Sequence, residues 1–79
     1  MDFRIMDHGS IKLLFPDSDA AKAWVAENVA EDHQTYAGGI VVEPRYIEDL
    51  TIGLLDAGMT GTLDGHALSV VNGEVMRAA

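Results

Sequence analysis

Apolar and polar residues alternate at the start of the chain in the manner of paired strands. Asp2–Met6 alternates with Phe3 directed inward, and Ile11–Phe15 follows the turn Asp7–Ser10. Two short apolar runs joined by a turn with glycine predict a β-hairpin. A third run, Ile40–Val42, is nearly all apolar, which is typical of a strand in the middle of a sheet.

The period returns to two after Gly58. The dipeptides Asp64-Gly65 and Asn72-Gly73 separate three short apolar runs, the last of which is Glu74–Met76. Asp-Gly and Asn-Gly between such runs are strong signals for two-residue hairpins. This part of the chain is therefore predicted to be an antiparallel meander.

Two segments repeat their apolar residues at helical spacing. The first begins after Ser18, which can cap it, and runs from about Asp19 to Val29. The second begins at Glu43-Pro44 and ends at Gly58, a residue suited to the left-handed conformation that closes a helix. Gly53 inside it is unfavourable by about 1 kcal/mol relative to alanine. We therefore expect Gly53 to allow close approach of another element.

These elements predict one α+β domain spanning residues 1–79. We expect a mainly antiparallel sheet of four to six strands, in the order β-β-α-β-α-β-β, with two helices on one face. The predicted strands are Phe3–Met6, Ile11–Phe15, Ile40–Val42, Thr62–Leu63 and His66–Val71, with a polar loop over Ala30–Gly38. The predicted core consists of Trp24, Ile40, Val42, Leu50, Leu54, Leu68 and Val70, with Trp24 as its anchor.

The composition is that of a small globular chain without cysteine. Its 79 residues are 48% hydrophobic, so we expect one small core with marginal stability, which a homodimer would improve. The absence of cysteine excludes disulfides and thiol catalysis and favours a reducing compartment. No apolar run approaches the roughly 18 residues of a membrane span, and the first residues do not resemble a signal peptide. We expect a cytoplasmic protein.

The negative charge is concentrated in one part of the chain. From Trp24 to Met76 there are nine acidic side chains and one basic one, Arg45, so this stretch holds the entire net charge of −8. Such a field repels nucleic acid and anionic membranes and attracts basic protein surfaces. We therefore expect no direct nucleic-acid or membrane partner.

The sequence contains no specific catalytic or metal-binding motif. His8, His33 and His66 are far apart in the sequence, and none is part of a metal-ligand pair at i, i+4 spacing. We expect no enzyme, no metal and no cofactor. A minimal hydrolase using Glu31, Asp32 or His33 is a further reading, and it requires a metal ion that stabilises the fold.

The acidic residues support two hypotheses of different classes. In the first, carboxylates on the helices and their connecting loop stand where DNA phosphates would, and tyrosines anchor a protein interface. The residues proposed for that surface are Glu27, Glu31, Asp32, Tyr36, Glu43, Tyr46, Glu48, Asp49 and Asp56. In the second, the carboxylates only maintain solubility, and the domain is an assembly module that self-associates through apolar surface.

One resemblance extends over a little more than half of the chain. The segments concerned are Phe15-Pro16-x-Ser18, Ala23-Trp24-Val25-x-Glu27-Asn28-Val29, Gly38–Leu50 and Gly53-x-x-x-Ala57-Gly58. In these segments the chain resembles small uncharacterised phage and prophage proteins. As a small, acidic, cysteine-free chain it also resembles, as a class, the inhibitors of bacterial defence that include acidic anti-CRISPR proteins. The resemblance implies a non-enzymatic inhibitor that binds the basic nucleic-acid channel of a host defence complex.

Overall fold

Residues 1–29 and 33–78 are described by the computed structural model and form seven strands and two helices. The strands are β1 (Phe3–Asp7), β2 (Lys12–Pro16), β3 (Thr35–Tyr36), β4 (Gly39–Val42), β5 (Gly61–Leu63), β6 (His66–Val71) and β7 (Glu74–Arg77), and the helices are α1 (Asp19–Asn28) and α2 (Pro44–Asp56). The predicted α+β class with two helices is confirmed. The predicted number of four to six strands is wrong, because there are seven.

All seven strands form one mixed sheet in the order β3-β4-β2-β1-β5-β6-β7. Five of the six neighbouring pairs are antiparallel, while β1 and β5 run parallel, with Phe3 opposite Gly61 and Ile5 opposite Leu63. Side-chain bonds fix this parallel pair at both ends. The carboxylate of Asp2 accepts from the amide of Thr60 at 2.8 Å, and that of Asp64 accepts from the amide of Asp7 at 3.1 Å. A strand that follows α2 thus extends the opening hairpin into a larger sheet.

The segment predicted as a polar loop contains a strand. Thr35 and Tyr36 pair with β4, and the two strands are joined by Ala37-Gly38, with φ angles of 53° and 87°. Alanine seldom adopts a positive φ, so this turn carries no sequence signal comparable to Asp64-Gly65 or Asn72-Gly73. Residues 30–32 of the same predicted loop lie outside the described part of the chain.

The helix ends follow the predicted signals. The hydroxyl oxygen of Ser18 accepts a hydrogen bond from the amide of Ala21 at 3.0 Å, so it caps α1. α2 begins with Pro44 in its first turn, and Gly58, with φ of 89°, follows its last turn. Backbone amides at this end return to the helix carbonyls, including that of Gly58 to Leu55 at 3.0 Å.

The core lies between one face of the sheet and both helices. Its buried cluster comprises Phe3, Ile5, Leu14, Ala21, Val25, Ile40, Val42 and Leu54. Ile40, Val42 and Leu54 were predicted core residues and are buried, whereas Leu50, Leu68 and Val70 are only half-buried. Trp24 is also half-buried, so its prediction as the core anchor is wrong. The largest fully buried side chain is Phe3.

Gly53 allows the close approach that its position predicts. A β carbon added there would lie 2.6 Å from Cζ2 of Trp24, so the indole rests directly on the backbone of α2. Contact between α1 and α2 therefore depends on the absence of a side chain at Gly53. Trp24 therefore packs between the two helices, at the edge of the core and not in its centre.

The opposite face of the sheet has neither described helix packed on it. Side chains alternate across a strand, and directly paired residues share a face, so the strand register assigns this face. Its members are Arg4, Met6, Leu13, Phe15, Tyr36, Val41, Thr62, Ala67, Ser69, Val71, Glu74 and Met76. We call this the open face.

Candidate protein-binding surfaces

The residues predicted to bind a partner are divided by the structure among several places. Glu43, Tyr46, Glu48, Asp49 and Asp56 lie at the start of α2 or within it, and Glu27 is exposed on α1. Tyr36 belongs to β3 and lies on the open face, so it is separated from the helix residues by the thickness of the sheet. Glu31 and Asp32 fall outside the described residues.

α2 presents one outward row of side chains. Asp49 and Asp56 are seven positions apart, which places them within about 20° of each other around the helix and roughly 10 Å apart along it. Arg45 and Ile52 complete this row at the positions i−4 and i+3 from Asp49. Arg45, Asp49 and Asp56 are exposed, and Ile52 is half-buried. We call these four residues the outer row of α2.

The start of α2 is locally balanced in charge. Nε of Arg45 lies 3.0 Å from Oε2 of Glu43, and its guanidinium carbon lies 4.8 Å from the centre of the Tyr46 ring. Both charged side chains of this pair are well exposed to solvent. A pair of this kind contributes about 0–1 kcal/mol to stability. Its larger effect is to offset the charge of Glu43, so the negative field of α2 is centred further along the helix.

Glu48 and Asp49 diverge by about 100° around α2 and border different clefts. Glu48 borders a cleft of about 180 Å³ that contains Ile47, Leu63 and the ion pair between Lys12 and Asp7, whose charged atoms are 2.7 Å apart. Asp49 borders a shallower cleft of about 470 Å³ between the end of α1, β4 and α2, as do Glu43, Tyr46 and His33. The two carboxylates therefore cannot act on one small ligand as an acid and base pair.

The charge density of α2 is much lower than that of DNA. From Glu43 to Asp56 the helix rises by roughly 20 Å. This length carries four carboxylates and one guanidinium. Duplex DNA carries one phosphate charge per about 1.7 Å, or about twelve over the same length. A few well-placed carboxylates can satisfy particular arginines or lysines, but they do not reproduce a continuous row of phosphates.

The carboxylates with lowered pKa values lie around β1, away from α2. A hydrogen bond from Arg4 holds the pKa of Asp17 below its usual value, and the paired atoms are 2.6 Å and 3.0 Å apart. The Thr60 amide, and after it the Ser18 hydroxyl, lower the pKa of Asp2. The Lys12 ammonium, followed by the Gly9 amide, lowers the pKa of Asp7. These contacts join loops to strands, so we assign them a structural role.

The histidines of the described chain are dispersed, in agreement with their spacing in the sequence. His8 meets the ring of Tyr36 edge to face, with centroids 6.1 Å apart, and His66 is exposed on β6. Within residues 1–29 and 33–78, no three histidine, aspartate or glutamate side chains are placed to hold a metal ion. The hydrolase reading needs Glu31 and Asp32, which lie outside these ranges.

The open face contains three exposed apolar residues that the sequence analysis did not single out, Met6, Val71 and Met76, together with the predicted Tyr36. Met6, Tyr36, Val71 and Met76 are 40%, 58%, 49% and 48% exposed, and all four lie on this face. The available signal was the lack of strict alternation in the consecutive apolar residues Leu13–Phe15, which place large side chains on both faces of β2. A sheet whose two faces are both apolar requires cover on both.

Comparison of the chain with protein-family models, curated proteins and solved structures gives no match. In the described residues, neither helix has the length and apolar character needed to cross a membrane. The functional argument therefore rests on the surfaces of the domain alone.

Proposed function

We propose that the protein acts by binding and not by catalysis, and that the outer row of α2 docks on a basic protein surface. In its specific form, the protein is a phage or mobile-element inhibitor of the anti-CRISPR type, acting in the host cytoplasm. It occupies a surface that a host defence complex otherwise uses to hold nucleic acid. Direct nucleic-acid and membrane partners are excluded from this proposal by the charge of the chain.

The observation that carries the proposal is the availability of the α2 carboxylates. Among the contacts of the described residues, no hydrogen bond or ion pair engages the side chain of Glu48, Asp49 or Asp56. By contrast, Asp2, Asp7 and Asp17 are bonded within the domain. Exposed carboxylates without internal partners can meet the cations of another protein with no loss of internal bonds.

Tyr46 supports the proposal as a neighbouring anchor. Its side chain is 50% exposed and lies against Arg45, next to the outer row. Tyrosine and arginine are over-represented among interface residues that dominate binding energy. Tyr36 is not part of this surface, because it lies on the open face. The proposed site therefore consists of Asp49 and Asp56 of the outer row, with Tyr46 and Glu48 on its two flanks, Glu43 at its edge and Glu27 on the adjacent helix.

The low charge density of α2 refines the predicted mode of action. Matched pairs of opposite charge increase association rate and specificity more than affinity. An inhibitor of this kind competes with nucleic acid by covering selected basic residues, and it does not need to copy the phosphate spacing. We expect its binding to weaken with salt, since exposed charges are screened over about 10 Å at 0.1 M.

A capture experiment with charge-matched variants tests this function. The immobilised protein is exposed to a lysate of a bacterium that carries CRISPR systems, at low and at moderate salt. We compare it with Asp49→Lys/Asp56→Lys and with the control Asp19→Lys/Glu74→Lys, which changes the net charge equally away from α2. Capture of a nucleic-acid-binding complex that is lost only in the α2 variant would support the proposal. Equal capture by both variants would refute the α2 site, since the position of the exchanged charges would then make no difference to binding.

A second function, an assembly module that self-associates, is favoured by a separate observation. Four large apolar side chains are exposed together on the open face. In this alternative the carboxylates only maintain solubility, and replacing Asp49 and Asp56 by lysine would leave the function unchanged. The two functions use opposite sides of the domain, so separate substitutions distinguish them.

A further inference from the structure

The exposed apolar side chains of the domain are concentrated on one side. Of the six large hydrophobic residues that are exposed in the described chain, four lie on the open face, and the other two are Met1 and Tyr46. Scattered exposed apolar residues are ordinary on a small protein, whereas their grouping on one sheet face marks an interaction surface. Phe15 and Val41, both half-buried, lie between Met6 and Tyr36, while Thr62, Ala67 and Ser69 separate this group from Val71 and Met76.

This face carries almost no net charge, although the chain carries −8. Its cation, Arg4, forms a bidentate ion pair with Asp17, and its guanidinium carbon lies over the ring of Phe15, 4.7 Å from the ring centre. Its one carboxylate, Glu74, lies at the rim on β7. Two copies can therefore approach through the open face while their acidic helices stay on the outer sides of the pair.

The strand order makes the open face complementary to itself. β1 is the fourth of the seven strands, so it lies at the centre of the sheet. A two-fold axis along β1 would place Met6 against its own counterpart and bring the β3 side of one copy over the β7 side of the other. By the strand register, Tyr36 would then lie two residues along the strand direction from Met76 of the second copy, a diagonal offset of roughly 7 Å that both long side chains can span. Methionine packs well against aromatic rings, and facing sheets commonly pack in an aligned arrangement.

We propose that the open face is the interface of a symmetric homodimer, in which two sheets pack face to face. The inference does not depend on the function proposed for α2. It identifies the surface that completes the fold, since the second copy covers the face that the helices leave bare. A dimer built in this way presents two acidic helices on opposite sides.

The dimensions of the face indicate a weak dimer. Six spacings of about 4.8 Å and strands of about four residues make the sheet face roughly 29 Å by 13 Å. Stable interfaces bury about 800 Å² on each partner, and transient ones bury less. A flat area of roughly 380 Å², enlarged by side-chain relief, belongs to the transient class, so we expect a weak dimer.

The test is the concentration dependence of molecular mass by sedimentation equilibrium, from about 10 μM to about 1 mM, the range in which a weak dimer forms. The native chain should pass from monomer to dimer across this range. Met6→Lys should weaken the dimer by more than about tenfold, because it removes apolar contact and places like charges at the axis. The control Ala23→Lys, at an exposed position of α1, adds the same charge and should leave the dimer intact.

The outcomes are distinct from those of the α2 experiment. If Met6→Lys does not fold, Val71→Lys takes its place, since that side chain is 49% exposed on the same face. A native chain that stays monomeric at about 1 mM overturns the proposal, as does a dimer that either folded variant leaves unchanged. Added salt should not dissociate an apolar interface, whereas it should weaken binding through α2.

Discussion

Replacing Gly61 by alanine should disrupt the centre of the fold. Gly61 lies opposite Phe3 in the parallel pair of β1 and β5, and Phe3 has no exposed surface. A β carbon at this position would lie 2.6 Å from Cδ2 of Phe3 and nearer still to Cε2 and Cζ. Ordinary carbon contacts are about 3.5–4.0 Å, so the ring would have to move by at least 1 Å or so within a packed interior.

The expected loss is about 3 kcal/mol in the free energy of unfolding. Overpacking a core typically costs about 1–3 kcal/mol, and removing a buried phenylalanine costs about 3–5 kcal/mol, which limits the effect of displacing it. In a domain of this size each kcal/mol corresponds to about 4–8 °C in Tm. Gly61→Ala should therefore melt roughly 12–24 °C below the native chain, or fail to fold at room temperature.

Gly53→Ala is the matched comparison. A β carbon there would also be too close to its neighbour, at 2.6 Å from the edge of the Trp24 indole. Trp24 is half-buried, however, so its ring can move toward solvent. Alanine also gains about 1 kcal/mol of helix propensity over glycine. We expect a net change within about 1 kcal/mol.

The assay is denaturant unfolding of all three proteins, followed by circular dichroism and by the fluorescence of the single tryptophan. A large loss for Gly61→Ala and a small one for Gly53→Ala would confirm the packing of Phe3 against β5. If Gly61→Ala were as stable as the native chain, Phe3 could not lie against Gly61, and the parallel pairing of β1 with β5 would be refuted.

Two further predictions concern the polar contacts that hold the ends of the elements. The pKa values of Asp2, Asp7 and Asp17 are lowered from the ordinary 3.8. Their stabilising contribution is therefore complete above that value and is lost as the pH falls through the folded pKa values. Unfolding free energies measured in urea should decline below about pH 4 in the native chain, and more gently in Asp17→Asn. An equally steep decline in Asp17→Asn would argue against the contact between Asp17 and Arg4. Ser18→Ala should cost about 1 kcal/mol by removing the cap of α1, while Ser18→Thr should cost little because it keeps the hydroxyl that caps the helix and bonds to Asp2. Equal losses in both variants would argue against capping.

Local features of the fold were predictable from the sequence because short-range chemistry determines them. The turns at Asp64-Gly65 and Asn72-Gly73 require residues that tolerate positive φ, and both adopt it. The cap at Ser18 and the helix end at Gly58 follow from the same kind of local requirement. In each case a few adjacent residues suffice to specify the backbone.

The long-range arrangement was not predictable in the same way. Trp24 was expected at the centre because of its size, yet Phe3 lies there, since β1 is the central strand and Trp24 sits at the junction of the two helices. The parallel pairing of β1 with β5 joins residues nearly sixty positions apart, for which hairpin signals carry no information. For the same reason, the sequence did not reveal that Tyr36 and α2 lie on opposite sides of the sheet.

The candidate surfaces were predictable only in part. The distribution of acidic residues along the sequence was enough to propose the α2 carboxylates as part of a binding surface. Helical spacing alone indicates that the side chains of Glu48 and Asp49 point in different directions. Only the structure shows that Glu43 is paired with Arg45, whereas the side chains of Asp49 and Asp56 have no partner among the described residues. The open face likewise emerges only once strand order and register bring residues of seven strands together.

Competition with DNA tests the central claim most directly. The captured host complex is held on the immobilised protein and titrated with duplex DNA. The account predicts that DNA releases the complex, and that Asp49→Lys/Asp56→Lys captures none while Asp19→Lys/Glu74→Lys captures as much as the native chain. A complex that binds DNA while remaining attached to the protein, or that is captured equally by the α2 variant, would contradict it.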